Sequence, residues 1–162
     1  MHILVVEDNW VNQKLISRLL SRFHCTESKA YNGQEALDYL ADPRHRKPDI
    51  IFLDVAMPVM GGQEVLQILR TQRPFVDDPI LQNTPVIIMT AHKMLGDNQI
   101  WISRGASDVL SKPMRQDFLR RMLLRWSRRE VVPAVPGGNR VVRRPVWGPM
   151  PLRAYRGPRS LL

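Results

Sequence analysis

Short apolar runs recur along the first two-thirds of the chain, and each stops abruptly at a polar or ionisable residue. The run at 2–6 ends at Glu7-Asp8, the run at 49–53 ends at Asp54, and the run at 85–89 ends at Thr90. Continuous apolarity over so few residues is the pattern of a strand buried on both faces of a parallel sheet. A more polar stretch, 26–31, is read as a further strand closed by Asn32-Gly33, and 107–110 as a fifth that runs into Ser111-Lys112-Pro113.

Helical spacing fills the intervals. Asn9 offers an N-cap for a helix carrying Val11, Leu15, Ile16, Leu19, Leu20 and Phe23. Ala36, Leu37 and Leu40 mark a second helix that ends before Pro43. Val65, Leu66, Ile68 and Leu69 mark a third, and Leu95, Ile100 and Ile102 a fourth that stops near Gly105. Phe118, Leu119, Met122, Leu123 and Trp126 complete a fifth, while 73–84 is read as a long polar, proline-containing connection. Five strands alternating with five helices predict an open, mostly parallel α/β sheet with right-handed crossovers.

In such a sheet the ligand site lies beyond the carboxyl ends of the strands. Glu7, Asp8, Asp54, Thr90 and Lys112 therefore converge on one rim. Three carboxylates brought together repel one another at neutral pH. A divalent cation removes that repulsion, and an all-oxygen site with few protein ligands suits Mg²⁺. Asp54 is then placed to act as a nucleophile toward phosphorus, forming an acyl phosphate. The ammonium of Lys112 and the hydroxyl of Thr90 are of the right kind to neutralise and hydrogen-bond the phosphoryl oxygens. Each of these residues taken singly is an ordinary turn or helix-cap residue. Four such positions at four strand ends, with βα alternation between them, carry the inference.

Composition narrows the setting. The net charge of +9 over 162 residues is unevenly divided: residues 1–127 hold 16 Lys+Arg and 14 Asp+Glu, while 128–162 hold eight Arg and one Glu. The basicity thus belongs to the C-terminal segment, which also carries six of the 13 prolines and four of the nine glycines. That composition predicts a disordered tail at 128–162 following one domain at 1–127. The tail's arginines could hold nucleic acid weakly through phosphates, but no helix-turn-helix pattern follows the domain. A single cysteine, Cys25, excludes a disulfide scaffold and a multi-cysteine metal cage. No apolar run approaches the roughly 20 residues needed to cross a bilayer, and no signal peptide precedes the first strand. A cytoplasmic protein is expected, with a nuclear location also open.

The motifs as a set resemble the receiver domains of two-component response regulators. Val5-Val6-Glu7-Asp8-Asn9 is similar to their acidic-pair motif, and the segment Phe52 to Gly62, centred on Asp54 and Met57-Pro58, is similar to their phosphoacceptor motif. Met89-Thr90-Ala91 and Leu110-Ser111-Lys112-Pro113 resemble the remaining two, and the likeness runs across residues 2–126 with every motif in order. Asn12-Gln13 and Thr90-Ala91-His92 look most like receivers of hybrid histidine kinases and eukaryotic phosphorelays. The resemblance implies a flavodoxin-like (βα)5 doubly wound parallel sheet with strand order 2-1-3-4-5. It implies that Asp54 accepts a phosphoryl group from a phosphohistidine on a histidine kinase or histidine phosphotransfer protein. It further implies that Asp8, Asp54 and the Ala56 carbonyl ligate Mg²⁺, with Glu7 acting through water, and that Thr90 and Lys112 contact the phosphoryl group. The expected output is a shift between two close conformations.

Two positions depart from the pattern. Many receivers carry an aromatic three residues before the lysine, where this chain has Val109, and the 73–84 connection is longer than a minimal receiver needs. Three other readings follow from the residues. An aspartyl-nucleophile phosphatase would need a second Asp two positions after Asp54, where Ala56 stands. A phosphate-independent interaction domain is opposed by the intact Asp8, Asp54, Thr90 and Lys112. Nucleic-acid binding would rest on the tail alone. A signalling module that catalyses only its own phosphorylation and dephosphorylation is expected, rather than a metabolic enzyme. His2, His24, His45 and His92 show no metal-ligand spacing, and Cys25, Trp101 and Trp126 are read as packing residues.

Overall fold

The structure, a computed structural model, describes residues 1–91, 97–127, 129–132 and 142–145. Five parallel strands, β1 (His2–Val6), β2 (Thr26–Ala30), β3 (Ile50–Asp54), β4 (Val86–Thr90) and β5 (Asp108–Ser111), form one sheet in the order β2-β1-β3-β4-β5. This is the topology the resemblance implied. β1, β3 and β4 are buried at every position because helices cover both faces of the sheet. β2 lies on an edge and only its last residue, Ala30, is fully buried, which explains its polar composition.

Successive strand residues point to opposite faces, so the core splits in two. Leu4, Val6, Ile51, Leu53, Val86 and Ile88 meet α2 (Gly33–Ala41) and α3 (Gly62–Thr71) through Leu37, Leu40, Val65, Leu66 and Leu69. Ile3, Val5, Phe52, Ile87 and Met89 meet α1 (Trp10–Ser21) and α6 (Gln116–Ser127) through Ile16, Leu20, Leu119, Met122 and Leu123. Val11 and Leu15 share the helical spacing of α1 but are exposed, together with Trp10. The apolar stripe of that helix is therefore wider than the face it buries.

The 73–84 segment differs from expectation. A short 3-10 turn (Phe75–Asp77) leads into α4 (Pro79–Asn83), whose N-cap Asp78 accepts hydrogen bonds from the main-chain N–H groups of Ile80 and Leu81. Pro79 at the first helical position suits that start because its missing N–H would have no intrahelical partner. Phe75 and Leu81 supply the burial that holds the segment against the domain. Arg70 completes the attachment from α3: its guanidinium donates to the carbonyls of Gly105 and Leu81 at 3.0 Å and of Thr84 at 3.1 Å. α5 (Asp97–Ser103) then leads to Gly105, whose φ of 96° lies in the left-handed region that glycine tolerates.

Within the tail expected to be disordered, Arg129–Val132 (β6) and Val142–Pro145 (β7) pair antiparallel. Val131, Val132 and Val142 give these segments their strand tendency. The remainder of the tail lies outside the described residues.

Candidate functional site

The carboxyl ends of β1, β3, β4 and β5 meet on one rim, as the strand alternation requires. Asp54 and Thr90 are the last residues of β3 and β4, one position further into their strands than the sequence pattern suggested. Both stay buried because the ladder runs through them: Asp54 lies in register with Met89, and Thr90 with Ser111. Glu7 and Asp8 follow β1, and Lys112 follows β5 immediately before a cis peptide to Pro113.

The charged groups are close enough to act as one unit. The Lys112 ammonium lies 2.7 Å from Asp54 Oδ2 and 2.6 Å from Glu7 Oε2. Glu7 is 1% exposed, whereas Asp8 is open to solvent. Burial pushes the Asp54 carboxyl above the usual aspartate range, with Lys112 and the main-chain N–H of Ala56 opposing and Glu7 adding to the rise. Burial also works against the Lys112 ammonium. Its hydrogen bonds and charge contacts with Asp54 and Glu7 outweigh that and hold it above the ordinary lysine value. The cation is thus fixed in its charged form, and the nucleophile candidate is a buried carboxylate held by it.

Glu7, Asp8 and Asp54 each offer a carboxylate oxygen, and these oxygens all lie within 4.8 Å of one another. Lys112 neutralises one of the three charges. A hard, all-oxygen donor set with one open carboxylate and two anchored ones fits Mg²⁺ in kind and in spacing.

Two loops set the access. After β3 the chain passes Met57-Pro58-Val59-Met60 and enters α3 at Gly62. A Cβ at Gly62 would stand 2.1 Å from the Asp54 carbonyl oxygen, so only glycine lets the helix start this near the strand end. Val59, at the tip, is 85% exposed with a φ of 67°. After β1, Asn9 caps α1 by accepting from the N–H groups of Val11 and Asn12. The cap turns the first helical turn back over the strand end, which brings Asn12 and Gln13 to Glu7. In the sequence that pair stands out only through the family resemblance, and the Asn9 N-cap directly ahead of it is the local signal of its reach to Glu7.

The other singled-out residues lie away from this rim or take no part in it. Val109 is buried beside Ala106 in the layer that Trp101 packs against, and Trp126 packs in the opposite layer. Cys25 is half-buried, its thiol pushed up by burial. His2 is buried at the far end of β1, and His92 lies outside the described residues.

The response regulator receiver domain model matches residues 3–124. Hybrid signal transduction histidine kinase I of Dictyostelium discoideum is 32% identical over 119 residues, covering 72% of this chain and 7% of that protein. The polar-differentiation response regulator DivK of Brucella anthropi is 35% identical over 112 residues, covering 69% of this chain and 84% of that one. The chain therefore spans a small part of the hybrid kinase and most of the free-standing regulator. Among solved structures, the receiver domain of sensor histidine kinase PA1611 from Pseudomonas aeruginosa is 29% identical with a TM-score of 0.64, covering 77% of this chain and 95% of that one. That structure has a magnesium ion coordinated in its active-site cleft.

Proposed function

The chain belongs to the response regulator receiver domain family of two-component and phosphorelay signalling, and we propose that Asp54 is its phosphoacceptor. The observation that carries this reading is the junction of Asp54 with Lys112 and Glu7 at 2.7 and 2.6 Å from one ammonium. One Asp54 carboxylate oxygen attacks the phosphorus of a phosphohistidine. The P–O bond forms as the P–N bond breaks, and the imidazole leaves with the electron pair. Attack by water on the resulting acyl phosphate returns Asp54 and inorganic phosphate.

Lys112 counters the burial that disfavours the Asp54 carboxylate and then pairs with the arriving phosphoryl oxygens. Thr90 stands at the adjacent strand end with a hydroxyl of the right kind to donate to them. Glu7, Asp8, Asp54 and the Ala56 carbonyl are the groups that would hold Mg²⁺, which when bound neutralises phosphoryl charge. The domain turns over no separate substrate and acts as a signalling module.

The partner is a histidine kinase or a histidine phosphotransfer protein. Trp10, Val11 and Leu15, exposed on α1 next to the acidic pair, support a docking surface there. Among the described residues no helix is long and apolar enough to cross a membrane.

Intact-protein mass after incubation with acetyl phosphate and Mg²⁺ tests the assignment. A gain of one phosphoryl group in the wild type, absent in Asp54→Asn and absent without metal, is expected. A gain that survives Asp54→Asn would move the acceptor elsewhere. A folded wild type inert to both acetyl phosphate and phosphorylated phosphotransfer proteins would favour a phosphate-independent interaction domain.

A further inference from the structure

Asn12 and Gln13 take no part in the transfer chemistry above, yet both side chains end at Glu7. The Gln13 amide nitrogen donates to the carbonyls of Val5 at 3.2 Å, Glu7 at 3.3 Å and Ala30 at 3.1 Å, so it ties the ends of β1 and β2 to the first turn of α1. Gln13 is 2% exposed, which makes this amide a fixed part of the frame. Asn12 works on the side chain instead: its Nδ2 donates to Glu7 Oε1 at 2.9 Å.

Glu7 is therefore gripped at three points. Gln13 holds its carbonyl, Asn12 holds one carboxylate oxygen, and Lys112 holds the other. These grips differ in permanence. Lys112 is shared with Asp54, so a phosphoryl group on Asp54 competes with Glu7 for the same ammonium. If Lys112 moves to the phosphoryl oxygens, Glu7 Oε2 loses its partner. Oε2 has no hydrogen-bond donor of its own besides that ion pair among the described residues. A carboxylate this buried cannot turn to bulk water to replace it. The Asn12 hydrogen bond does not involve Asp54 and survives the exchange.

We propose that Asn12 is a positioning residue for the cation site. It keeps the Glu7 carboxylate aimed at the site while Lys112 passes between Glu7 and the phosphoryl group, and Gln13 holds the main chain against which Glu7 is aimed. The inference rests on the reading of Asp54 as phosphoacceptor for the Lys112 exchange, but its metal-binding part stands without phosphorylation. Partners that orient metal-site carboxylates change affinity by roughly 10- to 100-fold when removed.

The test compares wild type, Asn12→Leu, which removes the donor at similar volume, and Asn12→Gln, which keeps an amide donor. Mg²⁺ titrations of the unphosphorylated full chain are followed by amide chemical shifts around Asp54. The expected result is about tenfold weaker Mg²⁺ binding in Asn12→Leu, with most of the affinity restored in Asn12→Gln. The apparent Mg²⁺ requirement for phosphorylation by acetyl phosphate should rise by the same factor, while the rate at saturating Mg²⁺ stays near wild type. Wild-type affinity in a folded Asn12→Leu protein overturns the proposal. So does a loss that Asn12→Gln does not restore, which would mark a packing role only. Asn12-dependent Mg²⁺ binding in a chain that accepts no phosphoryl group would keep the positioning role and overturn the phosphoacceptor reading instead.

Discussion

The main-chain N–H of Lys112 donates to the carbonyl of Thr90 at 2.8 Å. The two residues assigned to the phosphoryl group are thus joined by the sheet ladder itself, one step beyond the register pair of Thr90 with Ser111. A shift of either strand end carries the other, and the Lys112 ammonium approaches Glu7 and Asp54 from a fixed base.

Removing that ammonium should be costly. In Lys112→Met the buried Glu7 and Asp54 face each other with no cation between them. Breaking a fully buried pair costs roughly 3–5 kcal/mol. The lysine side chain is 20% exposed, so about 2 kcal/mol is expected in metal-free buffer. Urea unfolding measures the loss, and added Mg²⁺ should recover part of it. An unchanged midpoint without metal would show that the ion pair contributes nothing net.

Asp54→Asn should act in the opposite direction. Burial raises the Asp54 carboxyl above its ordinary value, so above pH of about 4 the folded state holds that proton more tightly than the unfolded chain. Ionisation at neutral pH therefore costs stability, increasingly so as pH rises through that window. The amide removes this cost, so the metal-free variant should be more stable than the wild type at pH 7, with a flatter pH dependence above pH of about 4. With Mg²⁺ present the wild type should regain the difference. Thermal unfolding from pH 4 to 8 with and without metal checks both signs.

A second titration lies at the far end of β1. His2 Nδ1 is 3.0 Å from Thr26 Oγ1 and Nε2 is 3.0 Å from Tyr39 Oη, whose hydroxyl donates to the Arg46 carbonyl at 2.7 Å. The network therefore assigns the ring proton to Nε2 and leaves Nδ1 as acceptor from Thr26. Burial, with Arg46 nearby, holds His2 below its ordinary value, and Asp49 opposes. The folded state binds fewer protons here than the unfolded chain, so stability is complete above the ordinary value of 6.5 and declines as pH falls below it. His2→Gln should flatten the stability profile between pH 6.5 and 5, and an unaltered slope would place its origin elsewhere.

Arg70 should be more important than an ordinary helix-surface arginine. Arg70→Met leaves the carbonyls of Gly105, Leu81 and Thr84 without their donor. A cost of about 2 kcal/mol follows from several lost charge-assisted hydrogen bonds in a part-buried setting. Limited proteolysis should cut first within 73–84. Equal resistance to protease in wild type and variant would remove the docking role.

Val59→Gly should stabilise. A β-branched residue in the left-handed region costs about 1–2 kcal/mol, and Val59 returns little by packing because it is 85% exposed. Glycine gives back roughly half of that gain as chain entropy, which leaves an increase of about 0.5–1 kcal/mol by urea unfolding. A decrease would mean that the exposed valine is held by packing.

The architecture and the acidic rim were legible in the sequence because both follow from periodicity. Short apolar runs, each ended by a charged or hydroxyl residue and alternating with helical spacing, have the pattern of buried parallel strands, and parallel strands place their ends on one rim. Asp54, Thr90 and Lys112 were found that way without any knowledge of contacts. The helix within 73–84 was not found, because Pro79 and a five-residue length give no period to read, and its stability comes from Phe75, Leu81 and the reach of Arg70. Val11 and Leu15 carry core spacing but are exposed, since spacing records a helix face and only packing decides how much of that face is covered.

Within the site the same division holds. Sequence alone determined which charges share the rim. Tertiary structure decided that Lys112 lies between Glu7 and Asp54, and that Asn12 holds the oxygen of Glu7 that Lys112 leaves free. The reason is physical: a strand fixes where its last residue stands, but which donor a buried carboxylate meets depends on side chains brought from other elements, and those distances are set only when both layers of the core have packed.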